Sequence, residues 1–244
     1  MPNRVLYALK IDVIIDLSNI SEKRVDEMNS KYEAVLFDFD GTIADTGEGI
    51  FNSVQYAVNS LGFEPLSEDV LRTFIGPPIY DSFKRELDIT DEQAHFAVEK
   101  YREIYAVKGI YEFRLYDGIL ELFGELKENG VRIAVASAKP ERFVRKLLAH
   151  IGIEDYFSFV SAPADDKADQ SKVGLINKAV EGMNVDKSTV LMVGDRHFDV
   201  NGANGAGVDS VGVTFGYGSR KELENAGATF IATCVDDIRN IIFF

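Results

Sequence analysis

Cysteine is nearly absent from this chain, and basic residues and long apolar runs are scarce. Cys234 is the only cysteine among 244 residues, so no disulfide can form within the chain. A lack of disulfides is usual for proteins of a reducing compartment. Because residues 230–234 form an apolar run, we expect Cys234 to be a small buried thiol rather than a nucleophile.

Acidic residues clearly outnumber basic ones. The chain has 26 lysines and arginines against 40 aspartates and glutamates, a formal net charge of −14. Such a surface repels a nucleic-acid backbone, whose binding depends on basic residues that displace counterions. It also repels anionic membranes. We therefore expect no nucleic-acid and no membrane partner, whereas a small anionic substrate needs a local concentration of positive charge such as a bound metal.

The N-terminal stretch of residues 5–17 is apolar but is interrupted by three charged side chains. It is too short to span a bilayer and has no small-residue cleavage site, which supports a cytoplasmic protein. Residues 1–30 form an N-terminal extension of unknown role. They are either an appendage packed on the main domain or a segment upstream of a natural start at Met28.

From residue 32 onward, short apolar runs alternate with helical patterns. Largely apolar runs of this length are typical of strands buried on both faces of a parallel sheet. Between two of them, Ile119, Leu122 and Leu126 recur at helical spacing. The alternation predicts an α/β fold with a doubly wound, Rossmann-like parallel sheet. The predicted strands are residues 34–37, 131–136, 157–162, 190–193 and 210–215.

One interval breaks this alternation. Between residues 46 and 115 the apolar positions, such as Ile50, Val54 and Val58, follow helical spacing, and no convincing strand is found. We therefore predict an α/β domain formed by residues 31–46 and 116–244, with an all-α domain inserted at residues 47–115.

The most informative segment is Val-Leu-Phe-Asp-Phe-Asp-Gly-Thr at residues 35–42. An apolar strand delivers Asp38 at its carboxyl end, where open α/β sheets bind ligands. Asp38 and Asp40 point the same way on extended backbone, and two such carboxylates repel each other unless a cation or a shared proton relieves them. Gly41 allows a sharp turn, so Gly41 and Thr42 are expected to bind phosphate. The simpler alternative is an ordinary turn at a strand end.

A second acidic segment follows the predicted strand 190–193. Asp195 ends this strand and Asp199 follows four positions later, one helical turn away on the same face. Oxygen ligands of this kind suit magnesium. A strand followed by Gly-Asp is by itself weak evidence for a functional site. Together with the first acidic segment the evidence is strong, because the ends of two adjacent strands can converge on one ion.

Two further polar residues lie between the acidic segments. Ser137 ends a predicted strand, where a hydroxyl can donate to a phosphoryl oxygen, although a helix cap or turn explains it equally well. Lys172 opens a predicted helix. A cation at this end of a helix interacts unfavourably with the helix dipole, so its presence there favours a specific role. Lys139, Lys167 and Lys178 compete with it.

In this order, these elements resemble the four motifs of the haloacid dehalogenase superfamily: Asp-x-Asp-Gly-Thr, Ser/Thr, Lys and Gly-Asp-x-x-x-Asp. The predicted helical insertion lies where a large branch of that superfamily carries a cap domain. Residues 74–78 and 216–219 also look like segments of the phosphoglycolate phosphatase and 5′-nucleotidase-like members. The first motif is highly specific, and the last two segments are only suggestive.

The resemblance implies a magnesium-dependent phosphatase that forms an aspartyl phosphate. It makes Asp38 the nucleophile and a metal ligand, and Asp40 the general acid/base with its main-chain carbonyl on the metal. Asp195 becomes the third metal ligand, and Asp199 supports the metal's water shell.

Ser137 and Lys172 hold the transferring phosphoryl group in this assignment. The sequence departs from the motif where Phe198, rather than a histidine, precedes the last acid, so a metal-supporting role for His197 is in doubt. The loop at residues 162–170 is acidic and lacks the glycines usual before the lysine of the third motif.

The expected substrate is a small phosphorylated metabolite, with phosphoglycolate and nucleoside monophosphates as leading candidates. A phosphosugar mutase shares all four motifs and is the main alternative. A receiver-like phospho-acceptor and a non-catalytic scaffold fit less well, and a dehalogenase would not need Asp40 and Asp195. Arg72, Lys84 and Arg85 of the insertion either meet a second anionic group of the substrate or are solvated surface charges.

Overall fold

The computed structural model describes residues 30–164 and 171–244. Within them the strands are, in chain order, β1 (Ala34–Phe37), β2 (Ala44–Asp45), β3 (Arg114–Leu115), β4 (Arg132–Ala136), β5 (Phe157–Ser161), β6 (Val190–Gly194), β7 (Asp209–Val213) and β8 (Phe230–Ala232). Six of them run parallel in one sheet in the order β5-β4-β1-β6-β7-β8, and the two short strands β2 and β3 pair separately and antiparallel.

Helices cover both faces of this sheet. All four residues of β1 are buried, with Val35 and Phe37 in one apolar cluster and Ala34 and Leu36 in the other. Successive side chains of a strand point to opposite faces, so a continuous apolar run fits only a sheet covered on both sides. The helices of the α/β region are α5 (Ile119–Glu128), α6 (Glu141–Ile151), α7 (Lys172–Met183), α8 (His197–Ala206), α9 (Arg220–Asn225) and α10 (Val235–Phe243).

Between β2 and β3 the chain forms an inserted helical region. Its helices are α1 (Gly47–Ser60), α2 (Glu68–Arg72), α3 (Ile79–Glu86) and α4 (Asp91–Tyr105). Thr90 begins α4 with a capping box, because its side chain accepts from the Gln93 N–H and the Gln93 side chain accepts from the Thr90 N–H. Tyr105 at the end of α4 packs edge-on against Phe143 of α6, with the two ring centroids 5.2 Å apart. The insertion thereby shares an apolar cluster with the sheet.

The predicted doubly wound α/β fold with a helical insertion is confirmed, with small differences. All five predicted strands form, within two residues of their expected ends. The pair β2–β3 and the strand β8 were not predicted, because two-residue strands and a three-residue edge strand leave little periodicity in a sequence. The division into residues 31–46 with 116–244 and 47–115 stays a prediction.

The prediction that Cys234 is buried is wrong, since its side chain is exposed. The apolar run ends at β8, and the chain then turns into α10. Thr233 stabilises this turn by donating its N–H and hydroxyl to Asp237, at 2.7 and 2.6 Å. The predictions for residues 1–29 and for Lys167 lie outside the described residues. No helix of the described residues is long and apolar enough to cross a membrane.

Candidate active site

The carboxyl ends of three adjacent strands bring the first predicted site residues together. β1 lies between β4 and β6, so Asp38, Ser137 and Asp195, which directly follow these strands, meet at one edge of the sheet. The Asp38 N–H donates to the Val193 carbonyl at 2.9 Å, and the Ser137 N–H donates to the Ser161 carbonyl at 3.0 Å. The Ser137 side chain hydrogen-bonds to the Asp38 carboxylate. These contacts hold the site residues at the edge where open α/β sheets bind ligands.

Lys172 at the start of α7 reaches the same point. Its Nζ lies 3.0 Å from Asp38 Oδ1 and 2.5 Å from Asp199 Oδ1, and it donates to the Ala136 carbonyl at 3.0 Å. Burial alone lowers the pKa of the Lys172 ammonium, but the two carboxylates outweigh burial and raise it, so the side chain stays charged. Of its competitors, Lys178 is exposed on α7.

Three buried carboxylates converge beside this lysine. Asp38, Asp195 and Asp199 each place one oxygen within 4.8 Å of the others. Burial raises the pKa of Asp195 well above its ordinary value, and the charges of Asp199 and Asp38 raise it further. Burial also raises the pKa of Asp38, although Lys172 opposes this. Three carboxylates thus meet beside one lysine, and their burial and mutual repulsion disfavour the charged forms of Asp38 and Asp195.

Asp195 is the member of the cluster whose surroundings most clearly suit a cation ligand. Its Oδ2 accepts the Tyr217 N–H at 2.7 Å, whereas its Oδ1 is buried and has no hydrogen-bond partner in the described part of the chain. A buried unpaired carboxylate oxygen is costly. Oxygen donors at this spacing fit Mg²⁺, which prefers carboxylates and keeps several waters.

The side chain of Asp40 is held away from this cluster. Lys139 Nζ lies 2.9 Å from both of its carboxylate oxygens, and the Thr46 hydroxyl donates to Oδ1 at 2.7 Å. Lys139 is buried and also lies over the ring of Tyr105, 4.9 Å from its centroid. Sequence reasoning placed Lys139 only among the competitors of Lys172, although its position two residues after Ser137 was a signal that it lies at the same edge.

The main-chain N–H groups of Gly41 and Thr42 were expected to bind phosphate but are used within the turn. The Gly41 N–H donates to the Ala44 carbonyl and the Thr42 N–H donates to the Phe39 carbonyl, at 2.8 and 3.3 Å, so both groups close the turn itself. The Thr42 hydroxyl is buried and has no partner among residues 30–164 and 171–244. The geometry therefore gives no support to phosphate binding through these two N–H groups.

Gly41 instead allows the turn to pack directly on Asp195. Its φ is +82°, and a Cβ at this position would lie 2.2 Å from Asp195 Oδ2. We expect Gly41→Ala to displace the Asp195 carboxylate and to lower turnover by on the order of 100-fold, because active-site geometry tolerates little displacement. Steady-state phosphate release checks this result.

A matched control separates the contact from backbone strain. Gly62 of the insertion has a φ of +81°, and a Cβ added there would meet no atom of the described residues within 4 Å. Gly62→Ala therefore imposes the same strain of about 1–2 kcal/mol without a clash. Equal activity loss in both variants would show that the contact with Asp195 is unimportant.

A cavity of about 230 Å³ opens over these groups. Its lining comes from both the sheet edge and the inserted helical region. The residues that line it are Asp38, Asp40, Ser137, Ala138, Lys139, Ser171, Lys172, Arg196, Phe198 and Asp199 of the α/β region, and Gly76, Pro77 and Pro78 of the insertion.

The basic residues predicted as possible substrate contacts do not line this cavity. Arg72 pairs with Glu68 on α2, Lys84 pairs with Asp91, and Arg85 pairs with Glu86. The three side chains are therefore ion-paired outside this cavity. Arg72 instead lines a second cavity together with Asp45 and Tyr217, so the role of these residues toward a substrate stays a prediction.

The His197 side chain contacts Glu222. Its Nδ1 is 2.6 Å from Glu222 Oε1 on α9, which agrees with the doubt raised by Phe198 in the fourth motif. Sequence reasoning did not identify Arg196 or Tyr217, which border the acidic cluster.

Comparison with known proteins agrees with this arrangement. The family model for haloacid dehalogenase-like hydrolases matches residues 35–213. The chain belongs to this family. It is therefore a hydrolase of the phosphatase class, with the six-stranded parallel sheet and helical insertion described above.

Several relatives cover most of the chain. A 5′-nucleotidase of Pseudomonas aeruginosa is 34% identical over 212 residues, 87% of this chain and 96% of the relative. The tyrosine-protein kinase PtkA of Mycobacterium tuberculosis is 32% identical over 222 residues, 90% of this chain and 76% of the kinase. The crystal structure of a predicted phosphatase from Clostridium acetobutylicum is 38% identical, with a TM-score of 0.81 over 86% of this chain and 97% of that one.

Proposed function

We propose that this haloacid dehalogenase-like hydrolase is a magnesium-dependent phosphatase that cleaves a small phosphomonoester through an aspartyl phosphate on Asp38. The observation that carries the proposal is the position of Asp38. Its buried carboxylate lies on the cavity wall, 3.0 Å from Lys172 and beside the carboxylates of Asp195 and Asp199.

The residues present fit a magnesium ion. Asp38 and Asp195 would hold it through carboxylate oxygens, Asp40 through its main-chain carbonyl, and Asp199 through the ion's water shell. When bound, the ion supplies positive charge that shields the carboxylate nucleophile from an anionic substrate. The unpaired Oδ1 of Asp195 supports this assignment.

The side chains of the protein account for the two chemical steps. In the first, an Asp38 oxygen bonds to phosphorus while the bond to the leaving oxygen breaks, and Asp40 donates a proton to that oxygen. In the second, Asp40 takes a proton from water, whose oxygen attacks phosphorus. The bond between phosphorus and Asp38 breaks, so inorganic phosphate leaves and the carboxylate is restored.

The surrounding groups are placed to assist both steps. Lys172 and Ser137 contact Asp38 and would hold the transferring phosphoryl oxygens, where charge develops. Lys139 and Thr46 orient Asp40, and a fixed acid is required for proton transfer in good geometry.

The size of the cavity favours a small substrate. Its volume of about 230 Å³ is below the roughly 300–1,000 Å³ usual for sites that enclose drug-sized ligands. A phosphoglycolate-sized ester fits such a space, whereas a nucleoside monophosphate would need part of its base outside it. In this proposal residues 47–115 act as a cap, because Gly76, Pro77 and Pro78 line the same cavity as Asp38.

The first experiment measures phosphate release from phosphoglycolate, nucleoside monophosphates and sugar phosphates, with Mg²⁺ or with EDTA. We expect turnover of at least one small ester that falls by at least about 100-fold in EDTA, because the acidic cluster then repels the substrate. Pyrophosphate serves as a control that is not an ester. No release from any ester, or equal release in EDTA, would contradict the proposal.

Two other activities are distinguished by additional measurements. A phosphosugar mutase would isomerise a sugar phosphate without net phosphate release. The similarity to PtkA over 90% of this chain makes protein-tyrosine phosphorylation a second candidate. Transfer of label from γ-³²P ATP to a tyrosine of the chain or of an added protein, with no ester hydrolysis, would favour that candidate over the phosphatase.

A further inference from the structure

Arg196 joins the sheet edge to the inserted helical region. It directly follows Asp195 at the end of β6. Its Nη1 donates to the main-chain carbonyl of Ile75 at 2.6 Å, and its Nε donates to Glu222 Oε1 at 2.9 Å. The two partners lie 121 and 26 positions away in sequence, so a single guanidinium links the insertion to α9, while the Arg196 main-chain N–H donates to Asp199 of the acidic cluster at 3.0 Å. The rigid fork of arginine donors suits such a double contact better than lysine does.

Glu222 is a firm anchor for this guanidinium. It also accepts the His197 N–H at 3.0 Å and lies 2.6 Å from His197 Nδ1. Its own N–H is capped by Ser219 at the start of α9. Burial opposes ionisation of Glu222, but the hydrogen bonds from His197 and Arg196 outweigh burial and lower its pKa to about 2. The anchor is therefore charged throughout the neutral pH range.

On the other side, Arg196 holds the segment that forms the cavity wall. Ile75 immediately precedes Gly76, Pro77 and Pro78, all three of which line the cavity. Gly76 has a φ of +106°, and a Cβ there would lie 3.6 Å from Arg196 Cγ and 3.8 Å from the Phe198 ring. Pro77 and Pro78 restrict the backbone that follows. The position of the Ile75 carbonyl therefore determines the position of this part of the cavity lining.

We infer that Arg196 is a positioning residue: anchored on Glu222, it fixes the Ile75 carbonyl and thereby sets the distance between the Gly76–Pro78 wall and Asp38, which decides the leaving groups that fit. The inference rests on the proposed phosphatase function. Arg196 acts through the wall and not on the phosphoryl group, which Lys172 and Ser137 already face. Its loss therefore affects recognition of the leaving group more than the chemical steps.

The test compares Arg196→Gln, Arg196→Lys and Glu222→Gln with wild type. For the preferred phosphomonoester we expect kcat/KM to fall by about 10- to 100-fold, the effect of one charge-assisted hydrogen bond, mainly through KM. For acetyl phosphate, whose leaving group makes little contact with the wall, we expect a change below about threefold. Arg196→Lys keeps the charge without the fork and should lose most of the same selectivity.

Hydrogen exchange gives a second measurement that does not depend on turnover. We expect faster amide exchange in residues 71–83 of both Arg196 variants, because the Ile75 carbonyl has lost its donor. Arg220→Gln is the matched control, since Arg220 forms an exposed pair with Glu224 on α9, and it should leave exchange and selectivity unchanged.

The outcomes separate this inference from the proposed function. Equal losses of kcat/KM for both substrates, or unchanged exchange in residues 71–83, would overturn the role of Arg196 while the phosphatase proposal stands. If wild type hydrolyses no ester, the proposed function fails, and the exchange experiment alone decides whether Arg196 holds the wall.

Discussion

Asp38→Asn is expected to reduce phosphate release by at least about a thousandfold while the protein stays folded. The amide has the same shape but cannot attack phosphorus, and loss of a nucleophile typically costs on the order of 10³- to 10⁶-fold in kcat. The Asp38 carboxylate lies among two other buried acids and its pKa is raised by burial. Removing its charge should therefore leave the metal-free Tm equal to that of wild type or higher.

Steady-state kinetics and calorimetry without metal check both parts of this result. Asp88→Asn is the control, because Asp88 is an exposed acid of the insertion. Mass spectrometry adds a positive result: Asp40→Asn should slow hydrolysis of the intermediate and leave one phosphoryl group on the peptide that contains Asp38. Substantial turnover by Asp38→Asn, or a phosphoryl group on another residue, would mean that the nucleophile is wrongly assigned.

The sequence predicts well which side chains meet at the edge of the sheet, because these residues directly follow strands. Asp38, Ser137 and Asp195 follow three apolar runs, and parallel strands place such ends at one edge of a sheet. Lys172 was harder to single out from sequence, because several lysines competed for the same role. In the structure Lys172 lies 3.0 Å from Asp38 and 2.5 Å from Asp199, which supports the choice of Lys172 over the exposed Lys178.

Contacts between distant parts of the chain leave no periodic signal. Lys139 and Asp40 are 99 positions apart, and Arg196 and the Ile75 carbonyl are 121 apart. Every residue has a main-chain carbonyl, so no residue type marks Ile75 as the partner of Arg196. The contact could therefore not be predicted from the sequence. The turn at Gly41 shows a second limit, because a glycine turn can direct its N–H groups outward or, as here, to carbonyls of the same turn, and the sequence does not distinguish the two.

Lys172→Met should lower both activity and stability, because it removes the cation from a cluster of buried acids. Its Nζ contacts Asp38 and Asp199, and deleting one partner of a buried ion pair costs about 3–5 kcal/mol. In a chain of this length, that loss corresponds to a fall in the metal-free Tm on the order of 10 °C. Turnover should fall by about 100-fold or more, since the developing phosphoryl charge loses a donor.

Magnesium should rescue the stability of this variant more than that of wild type. In wild type Lys172 already neutralises part of the acidic cluster, whereas in Lys172→Met the ion takes over that neutralisation for Asp38, Asp195 and Asp199. A ligand that binds the folded state raises Tm in proportion to its binding free energy, so the Mg²⁺-induced rise should be larger in the variant, although turnover is not restored.

Lys178→Met on the same helix is the control for Lys172→Met, because Lys178 is exposed and its loss leaves no buried acid of the described cluster without a cation. Calorimetry of both variants, with and without Mg²⁺, separates the effect of losing the charge in the site from the effect of the substitution on helix propensity. If the two variants lose equal stability, or if Mg²⁺ raises the Tm of Lys172→Met no more than that of wild type, then Lys172 does not balance the carboxylates. In that case the phosphoryl-binding role assigned to Lys172 would lose its electrostatic basis as well, since the same charge serves both purposes.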